Sequence, residues 1–331
     1  MPSSSNPFSN PEWLPHRVDV SARTVEFIRI ARDDFDAPAF LADRQVSPSD
    51  RLTVSWENVE AYGAETSRIC FIFHTAFCRS TLLVRALDNP GSALGLSEPG
   101  IIASIVNARG AADHLIRPLV ALLARPHANE AVAFIKPTNH ANRLMPALLG
   151  ALPGSRAILM TNSLPQFLRA VARKGLMGRR WGRQLLLEMQ SYAGVDLGMD
   201  ARETFCMTDM QAAGIAWFLA QRWFALHLAG QVRNVSKDRL SVLDGDRFDG
   251  ERARTLKAAN AFAGARISEE DAIARANSPL FASHAKSGVV YAGDNTSSDP
   301  RFEEELEQVG QWIGAIIEQS GLDLPLRHEL F

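Results

Sequence analysis

The chain has 331 residues, of which 46% are apolar and 22% are charged, and its formal net charge is −2. This is the composition of a globular protein with a sizeable core, and it lacks the basic excess that holds a nucleic-acid backbone. No apolar run reaches the ~20 residues that span a bilayer, and the first residues lack both parts of a signal peptide. We therefore expect a cytoplasmic protein that binds neither nucleic acid nor membrane.

The three cysteines, Cys70, Cys78 and Cys206, are an odd and sparse set without the spacing of metal ligands. They indicate neither a disulfide framework nor a zinc site, and we expect no bound metal.

Residues 1 to about 20 are rich in Ser, Asn and Pro, which predicts a loosely held arm. Residues 21–60 mix helical and short extended patterns. We therefore divide the chain into an N-terminal arm with peripheral elements, residues 1–60, and one α/β domain, residues 61–331.

Clear elements begin with a continuous apolar run at residues 69–74, which is typical of a central parallel strand covered on both faces. A short loop and a helix follow, and LSEPG near residue 98 contains a further short strand. Residues 132–136 and 157–161 predict two more strands, each followed by a helix, at 140–152 and 164–174.

Capping patterns place the remaining helices. Ser163 with Gln166 and Thr208 with Gln211 each predict a capping box at a helix start. Residues 240–244 predict another strand. Asp299 followed by Pro300 predicts the start of a last helix with one apolar stripe.

Strands that alternate with helices predict an α/β fold with a mainly parallel central sheet flanked by helices. Ligands of such sheets bind at the carboxyl ends of the strands. The loops that follow His74, Lys136 and Thr161 should therefore meet at one edge.

The loop after His74 reads TAFCRS and leads directly into a helix. A helix N-terminus offers unpaired N–H groups and the positive end of a dipole, which together favour phosphate. Arg79 adds a guanidinium, and Ser80 and Thr81 add hydroxyls. The alternative is that Ser80 only caps the helix while Arg79 is a solvated surface charge.

The order of motifs along the chain resembles the sulfotransferase family. FIFHTAFCRSTLLVRALD is similar to its phosphosulfate loop, LSEPG to its next strand, FIKPTNH with LLGALPGSRAILMTNSLPQFLRAVARKG to its middle section, and LSVLDGDRF with AFAG to its last strand and helix. The resemblance covers residues from about 69 to 320.

This resemblance implies a P-loop-like fold that binds 3′-phosphoadenosine 5′-phosphosulfate (PAPS) as the donor, without a metal. It also implies two groups of donor-binding residues. The 5′-phosphosulfate loop comprises Thr75, Phe77, Cys78, Arg79, Ser80 and Thr81. The 3′-phosphate side comprises Thr161, Arg169, Lys286 and Ser287.

The chain departs from the family pattern at two loop positions. Phe77 stands where the family usually has a basic residue, and Arg79 stands where it has glycine. The positive charge of the loop would then have moved to Arg79.

Sulfuryl transfer needs a base that takes a proton from the acceptor. Glu98, just after a strand, is our first candidate, and its alternative role is to stabilise the next helix. His74 competes as the base, its alternative being a buried, hydrogen-bonded histidine. Lys136 ends a buried strand and is expected to contact an anion, because an unpaired buried charge is unfavourable.

The predicted function is transfer of a sulfuryl group from PAPS to a hydroxyl or amine of a small-molecule acceptor. Two alternatives stay open: an ATP-dependent P-loop phosphotransferase, although the loop has no lysine, and a non-catalytic nucleotide- or phosphate-binding protein. A homo-oligomer is also left open.

Overall fold

The computed structural model describes residues 6–35, 39–63, 68–127, 129–282 and 300–331. Within these residues the strands form an antiparallel sheet in the order β1-β2-β3 and a parallel sheet in the order β5-β6-β4-β7-β8. The strands are β1 (Trp13–Asp19), β2 (Thr24–Arg29), β3 (Arg51–Ser55), β4 (Arg68–His74), β5 (Ala93–Ser97), β6 (Val132–Lys136), β7 (Arg156–Thr161) and β8 (Leu240–Asp244).

Helices surround the parallel sheet and connect its strands. They are α1 (Trp56–Glu60), α2 (Ser80–Leu87), α3 (Gly100–Asn107), α4 (Ile116–Leu123), α5 (Met145–Ala151), α6 (Leu164–Arg173), α7 (Gly175–Ala193), α8 (Ala201–Cys206), α9 (Asp209–Leu228), α10 (Gly245–Gly250), α11 (Arg252–Phe262), α12 (Glu269–Ala276) and α13 (Pro300–Ser320).

Strand β4 lies at the centre of the parallel sheet, between β6 and β7. Its side chains alternate between two faces: Phe71 and Phe73 join one apolar cluster, and Cys70 and Ile72 join the other. Both faces are covered because every connection between parallel strands crosses over a face of the sheet. The predicted α/β class with a mainly parallel sheet is confirmed.

The predicted helix at 140–152 is divided in two. A 3₁₀ turn, Asn139–Leu144, precedes α5, whose first turn contains Pro146. Proline fits the first turn of a helix. Because it has no N–H to donate to a carbonyl of the preceding turn, an α-helix that started at residue 140 could not run through Pro146 unbroken.

The capping boxes have different outcomes. The box at Thr208 and Gln211 is present at the start of α9. The box at Ser163 and Gln166 is wrong: Ser163 makes no side-chain cap bond, and the Gln166 amide contacts Asp246 instead. A tertiary partner has replaced the local one.

The N-terminal segment differs from the predicted arm, because β1 pairs with β2 and Trp13 is only 4% exposed. Arg125 donates to the Trp13 carbonyl over 2.6 Å, and Val18 N–H donates to Ser104 Oγ over 2.9 Å. Sheet β1-β2-β3 packs on the same apolar core as the parallel sheet.

The last helix has the predicted apolar stripe, with Leu306, Val309 and Ile313 buried. Beyond it, the chain returns to β8, where Leu330 N–H donates to the Val242 carbonyl over 2.9 Å. None of the helices in the described residues has the length and apolar character needed to cross a bilayer.

Candidate functional site

The loop between β4 and α2 has an unusual backbone. Ala76, Phe77 and Arg79 all have left-handed φ angles, of 67°, 55° and 66°. Such angles are unfavourable for residues with a Cβ and occur often at ligand-binding turns. The loop brings the chain abruptly into the first turn of α2, whose N–H groups have no partner within the helix. A turn of this kind at the carboxyl end of a central strand is typical of anion-binding loops.

Asn162 holds this loop in place from the end of β7. Thr75 Oγ1 donates to Asn162 Oδ1 over 2.8 Å, and Asn162 Nδ2 donates to the Ala76 carbonyl over 3.1 Å. The Asn162 carbonyl in turn accepts a bond from Trp217 Nε1 at 3.0 Å. We did not predict this role. Its only sequence signal is a polar residue directly after a buried strand.

His74, predicted as a competing base, is buried with both ring nitrogens in hydrogen bonds. Ala76 N–H donates to Nδ1 over 3.1 Å, and Nε2 lies 3.1 Å from the Pro137 carbonyl. Since Nδ1 accepts, Nε2 carries the proton and donates, so the ring is neutral. This arrangement favours the alternative role, in which His74 ties the loop to the end of β6.

Gly245 is a second loop contact that the sequence did not indicate. A Cβ on Gly245 would lie 2.7 Å from the Cys78 carbonyl oxygen and 3.3 Å from that of Thr161. Only a residue without a side chain lets the start of α10 approach the loop this closely.

Arg79 occupies the N-cap of α2 in the left-handed conformation, which glycine adopts more readily than arginine. Its guanidinium lies 3.3 Å from Asp249 Oδ2, and Arg252 lies 2.6 Å from the other oxygen of that carboxylate. The cation predicted to serve the loop therefore already has a carboxylate partner in α10.

Phe77 and Cys78 have apolar surroundings. The Phe77 ring packs 5.1 Å from Trp181 and 5.8 Å from Phe167, and Lys174 Nζ lies 5.8 Å from its centroid. Cys78 is buried, and burial raises the pKa of its thiol despite a hydrogen bond with Ser80. Cys78 is thus a small loop residue rather than a thiolate.

Ser80 and Thr81 are buried in the first turn of α2. Thr161 is buried at the end of β7, paired with Asp244 of β8. Lys286 and Ser287 lie outside the described residues.

Arg169 does not point a free charge at the loop. Its guanidinium forms a bidentate pair with Glu303 of α13, one of whose bonds measures 2.6 Å. That hydrogen-bonded pair raises the pKa of Arg169 and lowers that of Glu303. The expected contact with a 3′-phosphate would require this pair to open.

Glu98 and Lys136 are brought together as an ion pair at the ends of β5 and β6. Lys136 is 1% exposed and lies 5.4 Å from the centroid of the Phe40 ring. Glu98 N–H donates to the Lys136 carbonyl over 2.7 Å, and Glu98 has a left-handed φ of 48°. Strand β6 is the neighbour of β4 in the parallel sheet, so Lys136 at its carboxyl end lies beside the strand that leads into the loop.

Other polar groups lie at the same edge of the sheet. Ser97 Oγ, directly before Glu98, and Asn142 Oδ1 are buried without a hydrogen-bond partner in the described residues. His140 Nδ1 contacts Glu188 of α7, and its ring is partly exposed. The sequence did not indicate this partner of His140, because Glu188 is remote in the chain.

Metal ligands are not grouped in the portion of the chain that the structure covers: no three His, Cys, Asp or Glu side chains there are placed to hold an ion.

Comparison with known proteins gives similarity at the level of structure. No protein-family model matches the sequence, and no curated protein matches it significantly. The chain is similar to the sulfotransferase domain from the curacin biosynthetic pathway, with 12% identity and a TM-score of 0.41 over 81% of this chain and 95% of that one. It is also similar to a sulfotransferase from Alicyclobacillus acidocaldarius, with 13% identity and a TM-score of 0.39 over 77% and 97% of the two chains.

A third similar structure is retinol dehydratase in a complex with retinol and PAP, with 11% identity, a TM-score of 0.32 and coverage of 92% of this chain and 98% of that one. Two of these three neighbours are named as sulfotransferases, the family that the motif order resembles. At such low identity and TM-score they assign no role to any residue here, and the roles below come from this chain's own residues.

Proposed function

We propose that the protein binds a PAPS-type donor at the loop between β4 and α2 and transfers its sulfuryl group to a hydroxyl or amine of a small-molecule acceptor. The observation that carries this proposal is the loop itself. Three left-handed residues, held by Asn162 and Gly245, join a buried central strand to a helix N-terminus. That geometry suits a phosphate or phosphosulfate group held mainly by backbone N–H groups.

In this proposal Glu98 is the base and Lys136 is the cation that orients its carboxylate. Both side chains lie where the ends of β5 and β6 meet, close to the loop, and the buried ammonium keeps the carboxylate in one position. An acceptor hydroxyl that reaches Glu98 would lose its proton as the sulfur–oxygen bond forms, while the donor's phosphate leaves with the electrons of the broken bond.

A second candidate function is nucleotide or phosphate binding without transfer. The specific observation in its favour is that Arg79 and Arg169 are both held by carboxylates, Asp249 and Glu303. A chain that had lost the donor chemistry could keep the fold and the loop in this form. The ATP-dependent alternative is less favoured, because the loop TAFCRST has no lysine.

Calorimetric titration of the purified chain tests the proposal. We expect PAP to bind in EDTA more tightly than ATP does with Mg²⁺. Thr81→Val, which removes a hydroxyl from the first turn of α2, should weaken PAP binding by about 1.5 to 3 kcal/mol, or roughly 10- to 150-fold. Thr204→Val, in the partly exposed helix α8, is the matched control and should leave affinity unchanged.

The outcomes separate the functions. PAP binding with turnover of a hydroxylated acceptor supports sulfuryl transfer. PAP binding without turnover of any acceptor favours the binding protein, and preference for ATP with strict dependence on Mg²⁺ favours the phosphotransferase. Equal loss of affinity in both threonine variants would contradict the assignment of the loop.

A further inference from the structure

We propose that Lys174, at the junction of α6 and α7, supplies the positive charge for the anion bound at the loop. The ligand group is the phosphate or phosphosulfate of the donor. This inference rests on the proposed function and adds to it a residue that the sequence-based site did not include. It follows from the way charges are paired around the loop.

The loop needs a cation from outside itself. A bound phosphate or phosphosulfate carries at least one full negative charge, and a helix N-terminus offers only about half of a positive one. Arg79 is the only basic residue between His74 and Arg85. Arg79 lies 3.3 Å from the Asp249 carboxylate, which it shares with Arg252, so its charge is already partly neutralised.

Two other cations of the predicted site, Lys136 and Arg169, also have carboxylate partners. Lys136 pairs with Glu98 and has almost no exposed surface, and Arg169 pairs with Glu303 through two bonds. Recruiting either side chain to a ligand would first separate a pair and leave a carboxylate near the incoming anion.

Lys174 differs from these side chains. It is exposed, it contacts the Phe77 ring, and among the described residues its ammonium has no carboxylate within ion-pair distance. Its flexible stem lets the ammonium move several ångströms without disturbing the fold. A cation–π contact is weak, so the ammonium can leave the ring and bind a charged phosphate oxygen at little cost in free energy.

Phe77 gives Lys174 its position. The ring is wedged between Trp181 of α7 and Phe167 of α6, while its backbone is part of the left-handed loop. The Phe77 ring is thus fixed against α6 and α7, and Lys174 lies at the junction of these two helices. The aromatic ring links the loop to a cation from another element.

The test is titration of the full chain with two probes, PAP and inorganic pyrophosphate, at about 50 mM and about 300 mM salt. Lys174→Met should weaken binding of both probes roughly tenfold or more at low salt, and less at high salt, because a charge contact is lost. Lys174→Arg should keep most of the affinity. The matched control is Lys237→Met, which removes an exposed lysine before the amino end of β8, and it should change affinity less than twofold.

Each outcome bears on one proposal. If the wild-type chain binds PAP and Lys174→Met binds it equally well, the role of Lys174 is overturned while the proposed function stands. If the wild-type chain binds pyrophosphate but not PAP, and Lys174→Met loses pyrophosphate, the proposed donor is wrong while the anion contact stands. A wild-type chain that binds neither probe overturns both proposals.

Discussion

Among single residues, the most unusual one at the site is Lys136, a lysine that water hardly reaches. Its charge is balanced by Glu98, whose own backbone adopts a left-handed angle to reach it. A buried ion pair rarely adds much net stability, but removing one member leaves an uncompensated charge in the interior. The pair therefore has both a structural and a chemical consequence, which substitutions can separate.

We predict that Glu98→Gln lowers the free energy of unfolding by about 3 kcal/mol, because it removes the carboxylate that pairs with the buried ammonium of Lys136. The double variant Glu98→Gln with Lys136→Met should recover most of that loss, since both charges are then gone. Urea unfolding of the wild type, the two single variants and the double variant measures the coupling.

Turnover by the same variants shows whether Glu98 is also the base. Glu98→Gln should reduce turnover about 100- to 10,000-fold at a temperature where it is folded, and the double variant should stay equally slow. Recovery of turnover along with stability would mean that Glu98 has only a structural role. If Glu98→Gln is as stable as the wild type, the ion pair does not contribute to the free energy of unfolding.

At the level of elements, the site depends on how closely α10 approaches the loop. The start of α10 lies against the backbone of Cys78 and Thr161, and the approach is possible because residue 245 is glycine. Asn162, directly after β7, hydrogen-bonds to the loop from one side, and Gly245, the first residue of α10, packs against it from another.

We predict that Gly245→Ala displaces the loop, because the new Cβ would meet the Cys78 carbonyl oxygen at 2.7 Å. An overpacking contact with backbone typically costs about 1 to 3 kcal/mol of stability. PAP affinity should fall as well, since the N–H groups of the loop would move from their bound positions. Thermal unfolding and calorimetric titration measure the two effects.

Gly250→Ala is the matched control, at the other end of the same short helix. A Cβ on Gly250 would have no atom within 4 Å, so stability and affinity should both stay near those of the wild type. If both alanine variants behave alike, the approach of α10 does not shape the loop.

For the molecule as a whole, the buried His227 and the partly buried His127 make stability depend on pH. Burial lowers the pKa of His227 to about 4, and burial together with Arg32 lowers the pKa of His127 to about 4. In the unfolded chain both groups would titrate near 6.5. Between pH 4 and pH 6.5 the unfolded state therefore binds more protons than the folded state. The stability that these two neutral histidines contribute is fully present above pH 6.5 and is lost as the pH falls towards 4.

We predict that His227→Phe loses less stability than the wild type between pH 6.5 and pH 4.5, by about 2 kcal/mol. His227 lies within α9, where Nδ1 donates to the Trp223 carbonyl and Nε2 has no partner in the described residues. Urea unfolding across this pH range gives the comparison. A His227→Phe profile parallel to that of the wild type would refute the prediction.

Much of this architecture follows from local patterns in the sequence. The runs at 69–74, 132–136, 157–161 and 240–244 predicted four strands of the parallel sheet, because a strand buried on both faces has to be apolar throughout. The loop from Thr75 to Thr81 could be placed for a similar reason, since a short connection from such a strand to a helix leaves few alternatives. The loops after His74, Lys136 and Thr161 were also predicted to meet at one edge, because parallel strands end together, whereas the pairing of Lys136 with Glu98 was not predicted.

Only the tertiary structure decided how the charges and ring nitrogens of the site are used. Arg79 meets Asp249, Arg169 meets Glu303, and His74 bonds to Pro137, each across many residues of chain. Strand order and helix packing set these pairings, and neither leaves a local pattern in the sequence. Hydrogen bonds and ion pairs depend on separations of a few ångströms, whereas the apolar periodicity that marks a strand or helix depends only on which face is buried.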